Sequence, residues 1–258
     1  MNENYDKIKE FAVENKYEIL LGLIIIGSFV FFTRNNFNNF RKFQNNDHKI
    51  DINDILKNNY YINLDHRKDR KEETLKELNK IGIKSPNRFN AIENEKGAIG
   101  CGLSHIEVLK KAKGNDWDYT IIFEDDVKFL KPEETLHKLN KIINSNINWN
   151  VIILGGNNFK PYEIINEDCI KVNNCQTTTS YIIKKDYLNT LINHWTEGLH
   201  KLIETNDNNK YCIDQYWKLL QKKDNFLLIT PVEVVQREDY SDIEKTNVNY
   251  INSMKNVK

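Results

Sequence analysis

The sequence predicts an α/β sandwich with a mainly parallel central sheet flanked by helices. Three observations predict it. Short apolar runs alternate with amphipathic stretches between residues 60 and 229, as strand–helix units do. Ile121-Ile122-Phe123 and Val151-Ile152-Ile153-Leu154 are apolar throughout and read as buried strands. At 258 residues, 40% hydrophobic and 11% aromatic, the chain suits one sizeable domain plus a tail.

The elements follow in order. Residues 1–16 form a charged N-terminal tail. Residues 19–32 carry no charge; extended to 17–33, the run gives about 17 residues, the lower limit for crossing a bilayer. A cleaved signal peptide is the rival, and it needs a basic, acid-poor start and a small-residue cleavage site. Here Glu3, Asp6, Glu10, Glu14 and Glu18 precede or adjoin the run, and Phe31-Phe32-Thr33-Arg34 ends it. A single-pass, uncleaved membrane anchor is the expectation, with a buried core helix the remaining alternative. Basic residues on both sides leave the orientation open. The Asn-rich stretch 34–56 reads as a linker, 57–244 as the globular domain and 245–258 as a C-terminal tail.

Within the domain, 60–64 reads as a strand. Residues 66–81 read as a helix with Leu75, Leu78 and Ile81 on one face and Gly82 as its stop. A short strand is expected at 88–92, a helix at 103–112 and a strand at 119–123. Pro132 opens a helix carrying Leu136, Leu139, Ile142 and Ile143. Strand 151–154 is expected to close at Gly155-Gly156, with another strand at 179–183. Asp186 is expected to cap a helix running to Leu199. A helix at 211–220 and a strand at 226–229 complete the pattern.

Lys+Arg and Asp+Glu both total 37, so no general attraction to nucleic acid is expected. Cys101, Cys169, Cys175 and Cys212 form no C-x-x-C pair, and free thiols are expected.

The strongest chemical signal is Phe123-Glu124-Asp125-Asp126, where a buried strand runs into three acids. Carboxylates cannot be buried there without partners. Ligands of open α/β sheets bind beyond the strands' carboxyl ends. Side chains two apart share a face, so Glu124 and Asp126 could reach one hard cation, Mn²⁺ or Mg²⁺, with Asp125 turned elsewhere. A solvated acidic turn is the alternative.

Three further segments carry polar chemistry. In Asn63-Leu64-Asp65-His66-Arg67-Lys68-Asp69-Arg70, Asn and Asp suit base edges and ribose hydroxyls, and Arg suits phosphate; a charged helix start would look the same. In 97–105, glycines precede a helix whose first turn is expected to carry Ser104 and His105, as at an anion-binding helix end. His105 is expected to act as a hydrogen-bond donor, since no second metal ligand is recognised at helical spacing from it. By composition, the third, 231–243, is strand then loop.

Asn63-Leu64-Asp65 with Arg67 and Asp69-Arg70, Gly100-Cys101 with Leu103-Ser104-His105, Phe123-Glu124-Asp125-Asp126-Val127, and Ser241-Asp242-Ile243 stand in the order seen in glycosyltransferase family 25. The chain resembles that family, which includes lipooligosaccharide and procollagen galactosyltransferases, over roughly residues 58–244. The resemblance implies a GT-A-like nucleotide-diphospho-sugar transferase fold, a UDP-sugar donor, Mn²⁺ or Mg²⁺, and inversion at the anomeric carbon. Galactose or glucose would pass to a hydroxyl of a glycan or protein. Glu124 and Asp126 match the metal and diphosphate acids, and Asp125 stands beside the ribose or metal. Asn63, Asp65 and Arg67 match the donor nucleotide pocket, and Ser104 and His105 the helix near it. Asp214 matches the late acid expected to act as base on the acceptor, with Asp242 the next candidate; an exposed helix acid paired with Lys218 is the other reading of Asp214. Gly102 stands where the family usually has a larger residue, which is expected to loosen that turn.

The expected function is a membrane-anchored, UDP-sugar-dependent glycosyltransferase. The rivals are an inactive, membrane-tethered sugar-nucleotide or glycan-binding module and a metal-dependent phosphotransferase or nucleotidyltransferase.

Overall fold

The computed structural model describes residues 49–241 and 244–257. The expected tail 1–16, the anchor 17–33, most of the linker, and Asp242 and Ile243 lie outside the described residues. Among the described residues no helix is long and apolar enough to cross a membrane.

Helix α1 (Ile52–Lys57) begins inside the stretch expected to be linker. Asp51 caps it by accepting from the Asn53 N–H at 2.9 Å, and Ile55 is fully buried. There follow β1 (Asn59–Asn63), α2 (Lys68–Lys80), β2 (Arg88–Asn90), α3 (Gly97–Gly114), β3 (Tyr119–Glu124), β4 (Val127–Phe129) and α4 (Pro132–Ile143). Next come β5 (Val151–Asn158), β6 (Tyr162–Ile164), β7 (Cys169–Val172), β8 (Cys175–Lys184) and α5 (Leu188–Thr205). Three one-turn helices follow, α6 (Asn208–Tyr211), α7 (Ile213–Tyr216) and α8 (Lys218–Gln221). The chain then forms β9 (Phe226–Ile229), β10 (Val234–Gln236), β11 (Asp239–Ser241), β12 (Thr246–Val248) and α9 (Ile251–Lys255).

Eight strands form one sheet in the order β2-β1-β3-β8-β5-β9-β7-β6. The pairings make β8 and β7 antiparallel to the other six. The sheet is therefore mixed, and mostly parallel in strand direction. Alternate residues of β3 enter opposite cores. Ile122 joins Tyr181, Trp195 and Trp217 beneath α3 and α5, while Ile121 and Phe123 join Leu78, Leu139 and Ile142 beneath α2 and α4. Burial on both faces explains why these strands read as continuous apolar runs.

Several local expectations are corrected. The glycines before residue 103 are not a loop: Gly97–Gly102 is the start of α3, and a Cβ at Gly100 would stand 2.6 Å from the Ile92 carbonyl. Close approach of α3 to the segment that follows β2 explains that glycine. Gly102 does not loosen a turn either; its missing Cβ makes room for Leu199 and Ile213. Gly155-Gly156 lies within β5, which continues to Asn158 with register shifts against β8. Asp186 does not cap α5. A 3₁₀ turn (Lys185–Tyr187) precedes that helix, and Tyr187 is its N-cap, without a side-chain bond. The helix expected at 211–220 is broken into α6, α7 and α8. The stretch 245–258 carries β12 and α9, and Met254 is fully buried.

Gly155 fixes the approach of β10 to β5: a Cβ there would lie 2.4 Å from the Val234 carbonyl oxygen and 2.9 Å from its carbon. Backbone cannot swing aside as a flexible side chain can. Gly155→Ala is expected to cost about 1–3 kcal/mol and to lower Tm by about 2–10 °C in calorimetry. An unchanged Tm would show that β10 is free to yield.

Candidate active site

β1 and β3 run parallel and end side by side, so Asn63 and Glu124 emerge at the same sheet edge. Beyond Glu124 the chain turns through Asp125 and Asp126 and returns as β4, paired with β10. The three acids then meet three different environments.

Asp125 points into protein. Its carboxylate accepts from Asn63 Nδ2 and from Arg70 Nη1, both at 2.8 Å. Its carbonyl accepts from Thr74 Oγ1 at 2.8 Å and Arg237 Nη2 at 3.1 Å. Burial raises its carboxyl, although Arg70 and Asn63 oppose this. Arg70 also donates to Asp239 Oδ2 and to the Tyr240 carbonyl, and Arg67 to Asp69 and Asp239. Asp125, given a ribose or metal role by the resemblance, thus has its carboxylate engaged by Asn63 and Arg70.

Glu124 faces α3 and β8. His105 Nε2 lies 3.1 Å from its Oε1, and Thr178 Oγ1 donates to the same oxygen at 2.5 Å. Burial works against the carboxylate, but His105, Thr178 and Arg70 together outweigh it and hold Glu124 below its ordinary value.

Asp126 has the least support. Gln236 Nε2 donates to Oδ2 at 3.3 Å, while Oδ1 is buried with no hydrogen-bond partner. Burial first, and then the field of Glu124, raise this carboxyl to about 8 against the pull of Arg70 and Arg237. A buried orphan oxygen beside a second carboxylate is what a hard cation would complete.

Asp214, on α7, accepts from the Thr177 N–H at 3.2 Å. Burial raises its carboxyl, the Thr177 bond opposes this, and the field of Glu124 adds to it, so the two acids share one region. Thr177 lies at φ +70°, a left-handed conformation that a β-branched residue rarely adopts. The strained Thr177 holds Asp214 through its N–H while its neighbour Thr178 holds Glu124.

The remaining predicted residues are dispersed. Asn63 is 1% exposed; its amide donates to Asp125 and the Arg67 carbonyl, and its oxygen accepts from Arg88 Nε. Ser104 is as buried, donating to the Gly100 carbonyl and accepting from the Ile92 N–H. Both bond to the frame around the acid turn and the start of α3. His105 lies two turns into α3, with Nδ1 3.0 Å from the Tyr181 hydroxyl. Asp65 is open, its side chain 81% exposed and 3.4 Å from Arg88. Thr178 and Tyr181 were not anticipated from the sequence, and Gln236, Arg237 and Asp239 lie in the segment 231–243, singled out without a role for any one residue. The signals available were the Thr177-Thr178-Thr179 run and the charged segment after Val235.

The profile of glycosyltransferase family 25 (LPS biosynthesis protein) matches residues 95–253. This is more than half of the chain, which belongs to that family and is a glycosyltransferase. The match includes Cys101, His105, the acid turn and Asp214; Asn63, Asp65 and Arg67 precede it. No curated protein matches the sequence. Similar solved structures include A197 from STIV, at 12% identity and a TM-score of 0.42, covering 74% of this chain and 92% of that one. A glycosyltransferase involved in glycosylation of the major capsid of PBCV-1 matches at 12% identity and 0.44, covering 69% and 91%. A UDP-glucose pyrophosphorylase complexed with UDP-glucose matches at 14% and 0.39, covering 72% and 71%. At that level of similarity they say nothing of this chain's chemistry.

The Asp126 carboxyl keeps its proton in the fold up to about 8, whereas the unfolded chain releases it in the ordinary carboxylate range. The folded state therefore binds the extra proton between those limits, and this group makes stability fall as pH rises from about 4 to about 8. In metal-free protein, Asp126→Asn is expected to melt above wild type at pH 8, with the gap narrowing toward pH 5. A mutant less stable than wild type at pH 8 would refute an uncompensated charge at this position.

Proposed function

We propose that the chain is a membrane-anchored, metal-dependent inverting glycosyltransferase that moves a hexose, galactose or glucose, from a UDP-sugar to a hydroxyl of a glycan or protein. The observation that carries this reading is the orphan Asp126 oxygen beside Glu124 at the end of β3, with Asp214 in the same field. A GT-A-like arrangement agrees with a mostly parallel sheet whose acids stand at a strand's carboxyl end.

Asp126 and Glu124 are the residues that would hold Mn²⁺ or Mg²⁺. Bound there, the cation supplies positive charge against a diphosphate. Gln236 orients Asp126, and His105 and Thr178 orient Glu124. Asp65, with its side chain 81% exposed, and Arg67, which donates to Asp69 and Asp239, are the residues assigned to the nucleotide in this reading. Asp214 would take the proton of the attacking acceptor hydroxyl while the sugar–phosphate bond breaks. Burial fits it for this, since a raised carboxyl is a better base near neutral pH. Tyr216 and Trp217 lie two and three residues beyond it in sequence, but both are buried, so they are not placed to stack on sugar.

Three outcomes test this. A screen of UDP-sugars should show one donor releasing UDP only with acceptor and divalent metal; EDTA should abolish turnover, and full activity in EDTA would rule the metal out. Asp214→Asn should lower transfer by roughly 10²–10⁴ while calorimetric UDP binding stays near wild type, whereas joint loss of both would make Asp214 a donor-site or structural acid. Full-length protein should stay with membranes after carbonate washing, and its release, or a cleaved N-terminus, would overturn the anchor at 17–33.

A further inference from the structure

Cys101 and His105 are one helical turn apart on α3, so a second potential ligand does lie at helical spacing from the histidine. Opposite them stands Glu124. Cys101 Sγ, a His105 ring nitrogen and a Glu124 oxygen all lie within 4.8 Å of one another. A tetrahedral zinc centre, with bonds of about 2.0–2.3 Å, sets its ligand atoms about 3.3–3.7 Å apart. The His105–Glu124 pair, at 3.1 Å, is already near that spacing, and the thiolate, within 4.8 Å of both, needs a movement of at most about 1.5 Å to join.

We propose that Cys101 Sγ, His105 Nε2 and Glu124 form a metal site for a borderline-soft divalent ion such as Zn²⁺, separate from the hard-cation role of Asp126. The ligand set selects the ion: a thiolate and an imidazole favour Zn²⁺ or Cd²⁺, while all-oxygen sets favour Mg²⁺ and Mn²⁺. His105 has the outer partner that zinc-binding histidines have, with the Tyr181 hydroxyl 3.0 Å from Nδ1. Cys101 is partly buried, and burial, with the fields of Glu124 and Asp214 added, holds its thiol up, so the charge of the ion is what would release its proton.

The protons balance. In the metal-free protein Glu124 is a carboxylate and only accepts, so Nε2 carries the proton and Nδ1 accepts from Tyr181. When the ion binds, that proton transfers to Nδ1, which then donates to the Tyr181 oxygen. The thiol proton leaves to solvent, one per ion. Glu124 cannot serve both sites fully, so Zn²⁺ is expected to inhibit transfer in competition with Mn²⁺. Binding itself requires nothing of the transferase reading; only the inhibition does.

The test uses the full chain and the metals alone. Cd²⁺ titration should give one thiolate-to-metal charge-transfer band in the ultraviolet, saturating at one equivalent, and Zn²⁺ should displace it. Cys101→Ser should remove the band, Cys212→Ser should keep it, and Tyr181→Phe should weaken Zn²⁺ binding by about 10–100-fold. In the wild type, alkylation mapped by mass spectrometry should find Cys101 protected by Zn²⁺ and Cys212 not. Absence of the band, its survival in Cys101→Ser, its loss in Cys212→Ser, or equal protection of both thiols would overturn the site. The wild-type mapping decides the matter even if a variant misfolds. A band without inhibition would leave the zinc site standing and remove Glu124 from the transfer reaction.

Discussion

The turn after β3 depends on Asp125. Its carboxylate is held by Asn63 from β1 and Arg70 from α2, and its carbonyl by Thr74 from α2 and Arg237 beyond β10. Four contacts from three parts of the chain fix one residue. With Asp125 turned inward, Glu124 and Asp126 are left for other work. A buried ion pair of this kind is poor evidence for stability, because desolvation offsets much of the attraction. Its contribution here is positional: removing Arg70 would leave a buried carboxylate unpaired and the turn without its anchor.

The same turn separates the electrostatics of neighbouring acids. Glu124, with two donors, is held below its ordinary value; Asp126, with one long donor and an orphan oxygen, is raised to about 8. Adjacent charges so close cannot both be relaxed without a counter-ion. The strain at Thr177 belongs to the same arrangement, since that residue and Thr178 join Asp214 to Glu124 across the bulged start of β8. Strain of this kind persists only where surrounding structure enforces it.

Much of this was legible in the sequence, and the gaps have physical causes. Strands such as Tyr119–Glu124 and Val151–Asn158 announce themselves because both faces are buried. The acids at a strand end announce a site because isolated carboxylates are not buried freely. Strands β4 and β10, of three residues each, are set by pairing with each other from far apart in the chain and have no local pattern. The glycines of α3 misled because glycine marks both loops and close approaches, and only the Ile92 carbonyl 2.6 Å from a would-be Cβ separates the two. Asn63 and Ser104 look like ligands as residue types, and their bonds to Asp125, Arg88, Gly100 and Ile92 come from folding and have no signal in the sequence.

The buried Met254 bears on how the protein is made. Its sulfur accepts from the Gln236 N–H at 3.3 Å, next to the side chain that orients Asp126. During synthesis the sheet strands β1 and β3 emerge long before residue 254. The acid turn must therefore wait, half assembled and bearing like charges, while about 130 further residues are added at roughly 5–20 per second. A ribosome-bound chain would have a near-complete sheet and an unfinished catalytic edge, so competence for chemistry would arrive late and all at once rather than growing with the fold.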